Sequence, residues 1–320
     1  MSLRLIKTVV VIVVGGWVAH AQAPQAQANE PIVLKYKTAK GDKFHYKMGF
    51  DMKQSQSVMG MKFDNTIKQE TIVSRVVDSV DSDGQATLKV KADRRKMSSE
   101  FGALGKYEFD SKSTERDTSS AIGAAVTPLL ERLTGSEYEL LVTSRGHVAE
   151  VKGYAELVGD LLKDNPLAQQ FGATDNKTAA HQEQRGFIVL SEKPVKPGDQ
   201  WEFPFDIELT KVGKMKGTIT YTYEGPDKVG DRKTVRIGVV TNISLEMNID
   251  QGTSKVTGTL STTSSSGTVQ FDPEAGRVVS SKQTSGLSGQ LMVEVGGMTI
   301  PVDNQQESTE TLELIDKFPE

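Results

Sequence analysis

The chain has no cysteine in 320 residues. It can form no disulfide framework and no thiolate metal site, and it offers no thiol for lipid attachment behind a cleaved leader. Aromatic residues are scarce, at 6%. No apolar run reaches the roughly 20 residues that a membrane-crossing helix needs. Catalytic spacings are missing too. Past residue 21 the histidines are His45, His147 and His181, and none falls at H-x-x-x-H or H-E-x-x-H spacing. There is no G-x-S-x-G elbow and no glycine-rich phosphate loop. Asp78, Asp81 and Asp83 precede Gly84, but with Gly84 as sixth residue the first and twelfth positions of a calcium loop fall on Ser79 and Val90. No catalytic residue, cofactor or metal ligand can be named. An enzyme without a recognisable motif remains a minor alternative.

The amino terminus gives an address. Arg4 and Lys7 precede an apolar stretch from Thr8 to Val18, which ends in Ala19-His20-Ala21. This is the pattern of a signal peptide over 1–21 with cleavage before Gln22. It predicts an exported product, periplasmic or extracellular and not lipid-anchored. Residues 22–31 are small and polar, as in a flexible leader. Loss of Arg4 and Lys7 leaves 36 basic against 42 acidic residues, a net charge of −6. That balance excludes a general polyanion binder, so no nucleic acid partner is expected.

The body alternates. Ile32, Leu34 and Tyr36 lead to Gly41-Asp42, and then Phe44, Tyr46, Met48, Phe50 and Met52 occupy every second position. This is the period of a strand with one buried face. Met59, Met61 and Phe63 continue on a second strand, with Ala86, Leu88, Val90 and Ala92 on a third beyond the Asp81–Gly84 turn. From Gly186 the chain is read as β again, through Phe187 and Val189 to Trp201, Phe203, Phe205, Ile207 and Leu209. Later strands follow through Ile219, Val235, Ile243, Val269, Leu291 and Thr309 to Ile315. Thr253–Thr268 is Ser/Thr-rich and fits either a solvated strand pair or a loop. Between the β halves, Ala121 to Leu133 suits a helix that ends at Gly135. Pro128 either splits it in two or kinks it. Tyr138 to Val151 reads as a hairpin around Arg145-Gly146. A second helix is expected from Tyr154 to Lys163, a short one from Pro166, and a loop over Ala173–Ala180.

The two long stripes repeat. Gly41-Asp42 and the stripe from Phe44 match Gly198-Asp199 and the stripe from Trp201 at a constant offset. Leu88 and Val90 correspond to Val235 and Ile237. The pattern predicts an α+β fold, predominantly antiparallel β. It has two related long-stranded curved sheets, packed or joined edge to edge, with a few helices inserted between them. The first repeat with its helical insertion spans 32–185 and the second 186–320, as two units or one continuous domain.

Pro194-Val195-Lys196-Pro197-Gly198-Asp199-Gln200-Trp201, the later Phe271-Asp272 with Gly276-Arg277, and the helical middle followed by Tyr138 to Gly153 resemble a family of secreted bacterial proteins of unknown function. Its members are similar in an export signal, a GD-x-W strand start and a β-rich body. The resemblance implies no activity. A looser likeness, to the half-barrel sheets of periplasmic lipoprotein carriers and envelope lipid binders, concerns fold alone.

Two functional expectations follow. The ten stripe residues, Phe44, Tyr46, Met48, Phe50, Met52, Trp201, Phe203, Phe205, Ile207 and Leu209, are candidates to line a cavity for an acyl chain or similar hydrophobic ligand. Alternatively they fill an ordinary core, and the protein is an envelope scaffold or interaction module with a protein partner. Met48, Met52, Met59 and Met61 resemble a thioether copper set, but strand methionines on the apolar phase are core fillers. His45, on the polar phase, is expected to be solvated.

Overall fold

The structure, a computed structural model, describes residues 30–102, 105–162, 175–209, 212–250, 252 and 254–316. The expected signal peptide, most of the leader and the short helix after Pro166 lie outside the described residues. In chain order come β1 (Lys43–Val58), β2 (Met61–Val80), β3 (Ala86–Phe101), β4 (Gly105–Asp110), α1 (Ala121–Leu133), β5 (Glu137–Val142), β6 (Val148–Lys152), α2 (Tyr154–Leu162) and α3 (Asn176–Gln184). Then follow β7 (Gln200–Leu209), β8 (Gly213–Val229), β9 (Arg232–Asp250), β10 (Ser254–Asp272), β11 (Arg277–Val295) and β12 (Met298–Ile315).

The alternating runs form a single antiparallel sheet of 12 strands in the order β6-β5-β3-β2-β1-β12-β11-β10-β9-β8-β7, with β4 on the far half of β3. The two β halves are joined edge to edge, because β1 pairs with β12 from His45–Ile315 to Val58–Val302. Short turns link successive strands, so each hairpin carries its partner beside it. The stripe residues share one face. Tyr46, Met48, Phe50 and Met52 stand opposite Leu314, Leu312, Glu310 and Ser308 of β12, and opposite Val73, Thr71, Gln69 and Ile67 of β2.

The repeat survives in hydrogen-bond detail. Asp42 Oδ2 accepts from Ala39 N at 2.8 Å, and Asp199 Oδ2 from Lys196 N at 2.9 Å. Gly41 N donates to Val77 O and Gly198 N to Tyr223 O, both at 2.8 Å. Gly41 and Gly198 have φ of +89° and +94°, which only glycine adopts without strain. A β-bulge follows each matched site, at Val77/Ser79 and Tyr223/Gly225. There Leu88 faces Val77 as Ile237 faces Tyr223. The second hairpins therefore correspond one same-face step away from the expected match of Val90 with Ile237.

The sheet bends around its helices. Bulges at Ile72/Val73, Ser261/Gly267 and Gln270/Phe271 increase its local twist. At Gly289 a Cβ would lie 2.0 Å from Thr259 O, so β10 and β11 approach there as only glycine permits. One end of the bend is filled by the segment before β1 and by residues 186–199. Tyr36 packs on Phe187 and Phe271, and Trp201 stacks on Tyr221 at 5.5 Å. At the other end stand the hairpin tips β1–β2, β7–β8, β9–β10 and β11–β12.

Four readings change. Ile32, Leu34 and Tyr36 alternate as a strand would, but they form no strand: Ile32 makes only an isolated bridge to Val195, and Tyr36 N donates to Ser144 O. Residues 186–199 are not a strand: Ile188 N and Val189 N donate to the hydroxyls of Tyr36 and Tyr221, and Leu190 N to Arg145 O. Side chains and a turn replace the ladder, and the alternation there reflects burial alone. Ala173–Ala180 is expected to be a loop, but its described part enters α3, whose N-cap Asp175 accepts from Thr178 N at 2.7 Å. The polar composition concealed helix formers behind a good cap. The described part of Thr253–Thr268, from Ser254, belongs to the single strand β10. Helix α1 is continuous with Pro128 inside it, capped by Ser120, which accepts from Gly123 N.

Candidate functional site

The inner face of the bend is where the two stripes meet. In sheet order β1 and β7 lie far apart, yet α3 touches both. The His181 ring lies 5.5 Å from that of Phe205 on β7. Arg185, at the end of α3, stands 5.9 Å from the Phe50 ring on β1 and donates to Glu310 on β12 at 2.9 Å.

Above α3 the stripe is core. Phe44 and Tyr46 are buried, and Met48, Trp201 and Phe203 pack half-buried against the same cluster. Tyr46 donates to Val278 O. Phe50 and Met52 pack against a second cluster, in which α1 covers Ile67, Met97, Tyr107 and Phe109. Phe205, Ile207 and Leu209 are half-buried along the inner side of β7. Toward the open end the face continues through a third cluster of Leu260, Leu291 and Val302, flanked by Val58, Leu245, Met247, Val256 and Val293.

Between these apolar zones runs a polar belt. Gln283 Nε2 donates to Thr241 Oγ1 at 2.5 Å, the Ser285 and Ser308 hydroxyls are 2.9 Å apart, and Asn65 donates to Gln54. Asn304 in the same belt is 3% exposed, and its Oδ1 lacks a partner.

Under α3 sits a buried cation. Arg75 is 2% exposed, with its guanidinium 4.2 Å from the Phe187 ring centre and 5.1 Å from that of Tyr46. Nη1 donates to Gly186 O, and Nη2 lies 3.8 Å from Glu183, which also accepts from Tyr138. Burial pushes the Tyr46 and Tyr138 phenols up, so both stay neutral. The His181 imidazole is held down to about 4, first by burial and then by Arg185.

A separate open cleft of about 760 Å³ lies between the β5–β6 turn, residues 189–195 and the start of β7. Of the ten candidates only Trp201 and Phe203 line it, beside Arg145, His147 and Pro204. Its lining mixes ion-pairing groups with apolar ones. The α3 residues His181 and Arg185 were not among the sequence candidates, since no motif marks them. His45 is half-buried beside Ser74 Oγ at 3.0 Å rather than solvated, and Ser74 donates to Asp93. Because Ser74 and not the histidine is central, this is not the order of a nucleophilic triad. Met61 is on the inner-face phase but stands exposed at a hairpin tip, as does the turn residue Met59. Among the described residues no group of three His, Asp or Glu is placed to hold a metal. No described helix is long and apolar enough to cross a membrane.

Among solved structures, the chain is similar to lipovitellin, from a study of its lipid–protein interactions, with TM-score 0.41, 12% identity and coverage of 87% of this chain and 25% of that one. It thus spans a quarter of lipovitellin's length. It is similar to an exported protein of YmcC-like fold from Bacteroides fragilis, with TM-score 0.26, 9% identity and coverage of 88% and 99%. A DUF1329 family protein from Desulfovibrio piger gives TM-score 0.16, 8% identity and coverage of 85% and 87%. These scores fall below the level at which a shared fold follows. No curated protein sequence matches this one. Residues 83–278, more than half of the chain, match a family of unknown function, DUF6263, and the chain belongs to that family.

Proposed function

We propose that this protein is an exported, non-catalytic binder that carries a hydrophobic or amphipathic small molecule on the inner face of its bent sheet, within the cell envelope. The observation that carries this reading is the inner face below α3. There Phe205, Ile207 and Leu209 remain half-buried outside all three apolar clusters, although they continue a stripe whose upper end is packed core. The polar belt with its unpartnered Asn304 oxygen favours a ligand with a hydrogen-bonding group between apolar parts. An acyl chain with an amide, hydroxyl or ester belongs to this class. Native mass spectrometry of protein isolated from its envelope tests the reading. Adducts that organic solvent releases support it, and clean spectra at the sequence mass count against it.

The burial of Phe44 and Tyr46 favours a second reading, a scaffold with a filled core. Pairing by strand addition at the β7 edge is disfavoured, because Pro204 removes a donor in mid-strand. Crosslinking in cells that recovers a partner, with no bound ligand, selects the scaffold.

A further inference from the structure

The open end of the bend carries an apolar rim beyond the three packed clusters. At the β1–β2 tip Met59 is 78% exposed and Met61 59%, with Phe63 exposed beside them. At the neighbouring β11–β12 tip Met298 is 67% exposed, with Val295 next to it. The two tips are adjacent because β1 pairs with β12, ending at Val58–Val302. β12 runs on past that pair, so the second tip reaches roughly 13 Å farther at about 3.3 Å per residue. Monomeric proteins keep such clustered apolar side chains from water unless something else covers them.

Both tips are the same device. Val58 pairs with Met61 around Met59-Gly60, and Val295 pairs with Met298 around Gly296-Gly297. The four turn residues have φ of +51°, +83°, +60° and +78°, which is the hairpin turn that asks for Gly, Asn or Asp. Met59 is the one described non-glycine residue with positive φ. A large apolar side chain is thus held outward at a position that the turn itself would give to a small or polar residue.

Charge says what the rim meets. Residues 54–61 and 295–302 are two uncharged runs, in a chain where one residue in four is charged. The collar behind them carries charges of both signs: Lys62 pairs with Asp64 at 3.7 Å, Lys255 stands opposite Glu294, and Asp303 accepts from Gln290. Two protruding tips that bear Val, Phe and the adaptable side chains of Met suit a deformable apolar medium behind neutral headgroups. Met61, Phe63, Val295 and Met298 share the inner-face phase with Val58, Val302 and Leu291, so the rim is continuous with the third apolar cluster of the inner face.

We propose that these two tips dock on a zwitterionic lipid surface and set the open end of the inner face against it. The docking surface stands on its own observations, while its use for loading a ligand rests on the carrier reading. Because the chain has no cysteine, single labels report it directly. M59C and M298C, and D231C at the opposite end of the sheet, are made in the full chain and coupled to a polarity-sensitive fluorophore. Phosphatidylcholine vesicles are then added at low and high salt. The two tip labels are expected to shift to the blue and brighten several-fold, independently of salt, while the D231C label does not change. Replacing Met59, Met61, Phe63 and Met298 with serine is expected to reduce vesicle cosedimentation at least tenfold, with an unchanged circular dichroism spectrum. Silent tip labels, an equal response from D231C, or a shift that grows with protein concentration without vesicles overturns the proposal. The last of these assigns the rim to a second copy. A protein that retains ligand in native spectra but shows silent tips loses the docking proposal alone, and one that docks without ligand loses only the carrier reading.

Discussion

His181 on α3 lies with its ring 5.5 Å from that of Phe205 on β7, and this pair holds the helix against the inner side of β7. Burial, reinforced by Arg185, holds the imidazole down to about 4 from an ordinary 6.5. The folded protein therefore prefers neutral His181. Its contribution is complete above pH 6.5 and is lost as pH falls from 6.5 toward about 4. The loss amounts to roughly 2–3 kcal/mol. Urea midpoints at pH 7 and 4.5 should fall closer together in His181→Gln than in the parent chain. An unchanged difference removes His181 from the account.

Arg75 is the costliest polar group in the core. Its guanidinium lies between Phe187 and Tyr46, and Glu183 lacks its nearest cation without it. Arg75→Met should destabilise the fold by about 3 kcal/mol, as when one partner of a buried pair is removed. Chemical denaturation measures this. A loss below about 1 kcal/mol would mean that packing alone holds residues 186–187.

Gly146 closes the β5–β6 turn at φ +86°, and a Cβ there would lie 2.2 Å from the Tyr36 ring and 2.3 Å from Ile188 O. Gly146→Ala should therefore cost several kcal/mol, on the order of 3, through positive φ and a backbone clash. Gly41→Ala meets no atom within 4 Å and should cost only the strain of its φ. The ratio of the two losses, read by thermal melts, checks whether the plugged end is as tight as described.

Asp110 is held down to about 2 by its hydrogen bonds from Arg94, of which Nη2 donates at 2.8 Å. A lowered carboxyl contributes stability above its ordinary 3.8, and that contribution is lost as pH falls through about 2. Asp110→Asn should cost about 1–2 kcal/mol at pH 7, discounted for partial exposure, and only a few tenths of that at pH 2. Equal losses at both pH values contradict the ion-pair account.

Much of the fold was legible because burial writes a period of two into a strand. The stripes from Phe44 and Trp201, the Gly-Asp starts and the α1 face all occur where their spacing predicts. Phe187 and Val189 alternate as well, yet side-chain hydroxyls take up their backbone groups, and no local pattern distinguishes that from a ladder. α3 escaped notice because only Ala179 and Gln184 are buried on it, too few to make an apolar stripe. The candidate site was half legible. The stripe residues could be placed on one face, but which of them are core depends on where α1 and α3 cross the sheet, and that is decided by contacts far apart in sequence. Met61 and Met298 sit on the correct phase and are still exposed, because alternation reports which face a residue is on and not how far the cover extends.

The most direct test places a ligand on the inner face. A photoactivatable acyl chain is bound, crosslinked and mapped by peptide mass spectrometry, in the parent chain and in Ile207→Asp. The carrier account predicts crosslinks on the peptides of β1 and β7 that contain Phe50, Met52, Phe205, Ile207 and Leu209, reduced at least tenfold in the variant. Crosslinks confined to the outer face, or equal in both proteins, contradict it.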